Sequence, residues 1–200
     1  MPATAAPDTS STIGLKNLVI APLTADTDAT ITYGTVQKVA GAIEVTVTPD
    51  NADPDTQYAD DGEFDNIYPD PEMTLGVKLV DIPLAIQAMI FDESLDDNGV
   101  LVKKAGEKSP YFAVGFCSEK SDGNDRYVWL YKCRAKQYTQ TYATKEGSSI
   151  TRQEPTVEFA AIKRTHDDMW QCVADVGSNG FTTAKAATFL DTVYAPSFTP

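Results

Sequence analysis

An uninterrupted run of alternating side chains, RYVWLYKCRAKQYTQTY at residues 126–142, restricts the fold of this chain more than any other feature. Successive side chains of an extended backbone point to opposite faces, so this alternation predicts a β-strand. Natural strands usually contain about 5–6 residues and rise about 3.3 Å per residue. A strand over the whole run would extend beyond a single domain of this size. The run therefore predicts a β fold with one strand that reaches outside its own domain.

The alternation assigns the side chains of this strand to two faces. The first face carries Tyr127, Trp129, Tyr131, Cys133 and Ala135. The second carries Val128, Leu130, Lys132, Arg134 and Lys136. We expect the aromatic stripe to pack in the core, because its acidic surroundings do not suit a groove that stacks nucleic-acid bases.

Strand signals dominate the rest of the chain. They cover residues 15–23, 29–36, 41–49, 73–82, 111–119, 156–165 and 169–176. The turn sequence KSDGND predicts a hairpin between the strand at residues 111–119 and the long strand that begins at Arg126. The turn sequence HDD predicts a second hairpin, between residues 156–165 and 169–176. Apolar residues at helical spacing predict a short helix after Pro83 and a C-terminal helix over residues 182–194, capped by Thr182 or Thr183. The chain is therefore expected to be mainly β, an antiparallel β-sandwich or barrel with one or two short flanking α-helices.

The length of 200 residues favours one domain, which we place at residues 13–196. Residues 1–12 are predicted to be a flexible N-terminal tail, and residues 197–200 a short C-terminal tail. Within the domain, residues 50–72 form an acidic arm with isolated aromatic side chains. A connection of this length is usually functional or interacting, and Asp61-Gly62 suits the tip of a short hairpin.

The charge is divided unevenly along the chain. The net charge is −13, which argues against a protein that grips nucleic acid. Residues 1–99 carry 18 acids and three bases, whereas residues 100–200 carry 11 acids and 13 bases. Nine carboxylates lie in residues 50–72, and no base occurs between Lys38 and Lys78. Two interpretations remain open: a solvated acidic loop, or an acidic arm that meets the basic strand face of a neighbouring copy.

Signals for chemistry are weak. Three cysteines without CxxC spacing argue against a disulfide framework or a zinc site and favour a reducing cytoplasm. The N-terminus lacks the pattern of an export signal, and no apolar run is long enough to span a membrane. We therefore expect neither export by the usual route nor a membrane-spanning segment.

Individual candidates for catalysis or metal binding also fail. His166 is expected in an exposed turn, without a Ser or Cys nucleophile motif. The sequence from Asp92 resembles a calcium loop, but Asp97 replaces the required glycine and Lys103 the bidentate glutamate. The acidic cluster Asp50, Asp53 and Asp55 offers at most weak binding of a hard cation. We expect no cofactor and no enzymatic activity.

The order of several segments resembles the major tail proteins, also called tail tube proteins, of long-tailed, non-contractile bacteriophages. These segments are IGLKNLVIAPLT, YGTVQKVAGAIEVTVTP, YADDG, DIPLAIQAMI, NGVLV, YFAVGFCSEKSDGNDRYVWLYK and FAAIKR. The resemblance covers residues 13–196, and its most specific parts are YADDG and RYVWLYK. Residues 65–71 and the THDD turn depart from the pattern.

The resemblance implies a tail-tube fold and hexameric rings that stack into a hollow tube of the virion. Phage DNA would pass through the lumen without specific binding, and assembly would occur in the cytoplasm of the bacterial host. Implied partners are further copies of the chain, a tape-measure protein, a tail terminator and a distal tail protein. Alternatives are the tube protein of a contractile injection system, or a β-sandwich module that binds carbohydrate or a cation.

In such an assembly, the acidic arm would reach the next ring and the long strand would pair with a neighbour's sheet. Aromatic anchors would supply affinity, and acids opposite bases would set the register. The candidate subunit-interface residues are Tyr58, Asp60, Asp61, Phe64, Tyr68, Lys132, Arg134, Lys136, Tyr138 and Tyr142.

Overall fold

The computed structural model describes residues 9–50, 53–59, 61–67, 72–106, 108–145, 147, 152–178 and 180–198. This part of the chain is mainly antiparallel β with two short helices, as predicted. The strands are β1 (Thr12–Thr27), β2 (Thr30–Tyr33), β3 (Gln37–Lys38), β4 (Ala42–Asp50), β5 (Asp55–Ala59), β6 (Gly62–Ile67), β7 (Glu72–Leu79), β8 (Ser94–Leu95), β9 (Leu101–Val102), β10 (Tyr111–Lys120), β11 (Asp125–Ala135), β12 (Thr156–Ala161) and β13 (Gln171–Asp175). The helices are α1 (Leu84–Phe91) and α2 (Thr183–Thr188).

Nine of these strands form one sheet, in the order β2-β1-β10-β11-β12-β7-β4, with β3 beside β1 and β13 beside β11. Strand β11 has two partners on one edge: its residues 126–130 pair with β13, and its residues 133–135 pair with β12. Two small antiparallel pairs, β5–β6 and β8–β9, are separate from this sheet.

The middle of β1 and most of β10 and β11 are buried on both faces, which explains their continuous apolar runs. On the inner face, their side chains meet those of β7, β12 and α1 in one core. Its buried members include Leu18, Ile20, Leu75, Val77, Ile86, Ile90, Val114, Val128, Leu130, Val157 and Phe159. Strands β4, β7 and β12 cover only this core and therefore alternate between apolar and polar residues. The two groups of strands thus enclose the main core as two layers.

A second core lies on the outer face of β1, β10 and β11. Its buried members are Val19, Ala21, Ala113, Trp129, Tyr131 and Phe189. The Trp129 indole N–H donates a hydrogen bond of 3.0 Å to the carbonyl oxygen of Phe189. This bond fixes the segment after α2 against the sheet. The expected core packing of the aromatic stripe is confirmed, since Trp129 and Tyr131 are fully buried.

A β-bulge in β11 overturns the predicted assignment of faces. Phe112 pairs with Cys133 and Val114 with Leu130, so Tyr131 and Lys132 together lie opposite the single residue Ala113. The extra residue reverses the alternation downstream. Cys133 and Ala135 therefore belong to the main core, on the same side as Leu130 and not on that of Trp129.

In the single chain, the strand predicted over residues 126–142 is formed only in its first part. Strand β11 ends at Ala135, and one further backbone bond runs from the Lys136 N–H to the Glu158 carbonyl, at 2.7 Å. Beyond this point β12 offers no partner. The longest strand of the described chain is β1, with 16 residues.

Two other predicted elements differ from the structure. Strands β12 and β13 do not form a hairpin across HDD; both pair with β11, one after the other along its edge. The C-terminal helix ends at Thr188 and does not reach residue 194. The Phe189 N–H donates to the Ala186 carbonyl, three residues back, so the last turn of the helix is tighter than an α-helix. The Phe189 carbonyl accepts its hydrogen bond from the Trp129 indole N–H.

The N-terminal end of the described chain is tied to the domain. Ser11, placed in the predicted tail, exchanges hydrogen bonds with Ser121. Residues 1–8 and 199–200 lie outside the described residues. None of the helices in the described chain has the length and hydrophobicity needed to cross a membrane.

Candidate subunit interface

The acidic arm contains a hairpin, as the Asp61-Gly62 signal predicted. Strands β5 and β6 pair from Asp55–Ile67 to Ala59–Gly62 at the tip. Asp61 adopts a left-handed conformation with φ of 62°, which aspartate tolerates better than most residues. We call residues 55–67, which β5, β6 and the tip between them span, the arm hairpin.

The arm hairpin presents a mixed apolar and acidic surface. Tyr58, Phe64 and Ile67 are 69%, 73% and 63% exposed. The carboxylates of Asp55, Asp61, Glu63 and Asp65 also belong to exposed residues. As far as the described residues show, neither strand pairs with the main sheet. An isolated two-stranded hairpin is marginally stable in water. The structure thus brings Tyr58, Asp61 and Phe64 together, whereas Asp60 and Tyr68 lie outside the described residues.

Lys132 is not part of an open basic face, contrary to the prediction. Its Nζ lies 2.5 Å from Oδ2 of Asp26, and the two side chains are only 12% and 6% exposed. The Thr165 and His166 N–H groups donate to the same carboxylate. Burial raises the pKa of Asp26, but these hydrogen bonds outweigh burial and hold the pKa at about 2. Lys132 therefore holds the β1–β2 turn against the segment after β12.

Arg134 and Lys136 remain accessible. The Arg134 Nε donates to the Ser109 carbonyl at 2.8 Å, and its guanidinium lies 4.3 Å from the centre of the Tyr111 ring. No carboxylate of the described chain forms an ion pair with Arg134. Lys136 lies 3.6 Å from Glu158, and both side chains are at least half exposed. Such an exposed ion pair is weak and easily exchanged for another partner.

Residues 136–145 continue from β11 as a segment without secondary structure, which we call the β11 extension. Tyr138 anchors it, because its ring stacks on Phe91 at 5.7 Å and its hydroxyl donates to Oε1 of Gln87 at 3.3 Å. Gln140 donates to the Tyr138 hydroxyl at 2.6 Å, and the Tyr142 hydroxyl donates to Gln140 at 3.0 Å. Tyr142 itself is 87% exposed.

Two of the residues considered for catalysis or metal binding, Asp96 and His166, form contacts within their own chain. Asp96 accepts hydrogen bonds from the Asn98 and Val100 N–H groups, which closes its own turn. The His166 Nδ1 lies 3.1 Å from the Asp28 carbonyl oxygen. In the described ranges, no three His, Cys, Asp or Glu side chains are grouped so that they could hold a metal ion.

Sequence reasoning missed Tyr111 and Asp26, which position Arg134 and Lys132, two of the three basic residues that it identified. Tyr111 provides the ring beneath Arg134, and its place at the start of β10 opposite Arg134 was a usable signal. Asp26 gave no such signal, because its partners Lys132 and Thr165 are more than 100 residues away in the chain.

A search of protein-family models and of curated proteins finds no match for this chain.

Proposed function

We propose that this chain is a structural subunit that assembles with identical copies into stacked rings, as the major protein of a phage tail tube. In this proposal the rings are hexameric and enclose a lumen through which DNA passes. The tube belongs to the virion and is built in the host cytoplasm, with a tape-measure protein inside and terminator and distal tail proteins at its ends. The chain performs no chemistry.

The observation that carries the proposal is the arm hairpin. Within the described part of the chain it pairs only with itself, yet it displays three large apolar side chains to solvent. Exposed apolar groups on a marginal hairpin favour a binding partner, which would bury them and stabilise the pairing. A partner with an accessible basic surface also fits the carboxylates of the hairpin. Another copy offers Arg134 and Lys136 for this contact.

The contact between arm hairpin and strand region is heterologous, because it joins two different surfaces of the same chain. A heterologous contact closes into a ring or continues as a filament. In a stack of rings, this contact joins each ring to the next, as in a filament. This geometry supports a tube better than a closed dimer.

The acidity of the chain also suits a conduit. DNA carries about one negative charge per 1.7 Å of its axis. A net charge of −13 on each subunit favours a lumen that repels DNA weakly and does not hold it.

Negative-stain electron microscopy, combined with sedimentation velocity over a range of protein concentrations, tests the proposal. We expect rings or tubes whose abundance increases with concentration. A particle that stays monomeric at every concentration, also with the proposed partner proteins added, would refute the proposed function.

A further inference from the structure

We propose that residues 138–142 of the β11 extension form a β-strand only in the assembly, by pairing with the free edge of β4 in a second copy. This inference rests on the proposed function and identifies the two surfaces of one subunit contact.

The first argument is that residues 138–142 contain no helix, turn or bend. The side chains of Tyr138, Gln140 and Tyr142 are hydrogen-bonded in sequence, from one to the next. An extended backbone places residues two apart on the same side. These contacts therefore agree with the backbone conformation that a strand requires.

The second argument is that the backbone of this segment has no partner within the described chain. The last backbone bond of β11 is that of Lys136 with Glu158, and residues 137–145 form none with described residues. Tyr138 nevertheless holds the segment in place through Phe91 and Gln87. An anchored, extended segment loses little further conformational entropy when it pairs, which favours association.

The third argument concerns the edge that receives it. Strand β4 ends the sheet order, and among the described strands it pairs only with β7. The Leu79 N–H bonds to the Pro155 carbonyl on the β12 side, whereas the Val80 N–H bonds to the Gly41 carbonyl on the β4 side. The backbone N–H and C=O groups of odd-numbered residues in β7 therefore point to β12, and those of even-numbered residues point to β4. Val45 and Val47, opposite odd residues, then direct their N–H and C=O groups to the free edge.

Proline in β4 agrees with this assignment. Pro49 lies opposite Met73, another odd residue of β7, and it has no N–H to donate to the ladder. Proline is tolerated in a strand where its missing N–H would face an open edge. It also limits the free edge to residues before position 49, which matches a short incoming strand.

The fourth argument is complementary charge. No carboxylate occurs between Asp125 and Glu146, whereas no base occurs between Lys38 and Lys78. The β11 extension brings Lys136 and Lys145 to an edge strand that carries Glu44 and Asp50. Opposite charges across a contact suppress the wrong pairing and set register.

Strand β13 is a less suitable receiver. It has five residues, and its carboxylate Asp175 is already bonded to Arg126 at 2.6 Å and to Lys120 at 3.2 Å. Its charge is therefore neutralised within its own chain, and it offers nothing to a basic segment. This makes β13 the natural control edge.

Disulfide trapping between two separately purified variants tests the pairing. One variant carries Thr139→Cys and the other Thr46→Cys, both in a Cys172→Ser background, because Cys117 and Cys133 are buried. Thr141→Cys and Thr48→Cys allow for a different register. The control replaces the second variant with Val173→Cys on β13, a position that is 52% exposed. We expect the β4 positions to cross-link at least about tenfold more than Val173→Cys.

The outcomes separate this inference from the proposed function. Rings by electron microscopy without a cross-link at any of the four β4 pairs, or with preferential trapping at Val173→Cys, would overturn the pairing alone. The absence of any oligomer would overturn both.

Proline variants give independent evidence without cysteines. The N–H groups of neighbouring strand residues point to opposite edges, so either Gln140 or Thr141 directs its N–H to β4. Gln140→Pro and Thr141→Pro each remove a backbone N–H that has no partner in the described chain, so the monomers should keep their thermal stability. We expect one of the two to assemble at least about tenfold less than its alanine counterpart, Gln140→Ala or Thr141→Ala. Normal assembly of both proline variants would contradict the strand pairing.

Discussion

At the residue scale, Gly115 and Trp129 are packed more tightly than any substitution allows. They are cross-strand partners in β10 and β11, and the indole ring lies directly over the glycine. A Cβ at position 115 would come within 2.7 Å of that ring. Trp129 cannot move away easily, because its N–H is bonded to Phe189.

Gly115→Ala is therefore expected to destabilise the fold by about 1–3 kcal/mol, as overpacked core substitutions do. Chemical denaturation of the monomer measures the change. The matched control is Gly76→Ala in β7, where a Cβ would meet its nearest neighbour at an ordinary 4.0 Å. Equal effects at the two positions would contradict the importance of the Trp129 contact.

Asp26 links three distant parts of the chain through one buried carboxylate. Its pKa of about 2 lies below the ordinary value of 3.8, so the folded state favours the charged form. The resulting stabilisation is complete above pH 3.8 and is lost as the pH falls towards 2.

Asp26→Asn should lower the free energy of unfolding at pH 7 by on the order of 2 kcal/mol, because Lys132 loses its counter-charge in a nearly buried site. Denaturation of both proteins between pH 7 and pH 2 should show the difference narrowing at the acid end. Asp28→Asn, at an exposed neighbouring position, serves as control. A difference that does not change with pH would argue against the ionised Asp26 as its source.

These residues also mark the limit of prediction from the sequence. Alternation identified Trp129 and Tyr131 as core residues, because burial on a strand face leaves a local signature. It could not locate the bulge at Lys132, since a bulge depends on the residue across the ladder, Ala113. The pairing of Lys132 with Asp26 was equally hidden, so the predicted basic face was too large.

At the element scale, local turn chemistry was a reliable guide and strand ends were not. Asp61-Gly62 correctly predicted the tip of the arm hairpin, because that turn is specified by the residues that form it. The end of β11 depends on where β12 stops offering partners. The end of α2 depends on the contact between Trp129 and Phe189, which no local pattern contains.

The arm hairpin leads to a prediction at this scale. Phe64→Ser should leave thermal stability unchanged, because the side chain is 73% exposed, but weaken assembly at least about tenfold. Sedimentation velocity measures assembly, and circular dichroism checks the fold. Ile13→Ser, at a comparably exposed apolar position in β1, is the matched control. Full assembly of the Phe64 variant would remove the hairpin from the proposed contact.

At the scale of the whole molecule, opposite charges lie in different parts of the sequence. In the fold, the acidic arm hairpin lies outside the main sheet, whereas Arg134 and Lys136 lie at the end of β11. Several other bases are paired within the chain, which leaves few for a neighbour.

Assembly should consequently weaken as salt rises, because exposed charges are screened over about 10 Å at 0.1 M ionic strength. Arg134→Glu should weaken assembly further and reduce its dependence on salt. The control Lys185→Glu changes the charge equally on α2, where the Lys185 ammonium group donates only to the Gly180 carbonyl among the described groups. Light scattering at several salt concentrations measures both. If Arg134→Glu and the control behaved alike, net charge would be the cause and not this contact.

The bulge in β11 has a further consequence for anyone who transplants this strand. Because of the bulge, every residue after Lys132 faces the side opposite to the one that regular alternation would give it. A sheet that receives β11 would therefore need a single residue opposite Tyr131 and Lys132, as Ala113 is here. In a regular ladder the same sequence would place Cys133 and Ala135 on the outer face with Trp129, and it would direct Arg134 into the main core. The face on which each side chain of β11 lies can thus be assigned only when the sequence of the neighbouring strand β10 is known.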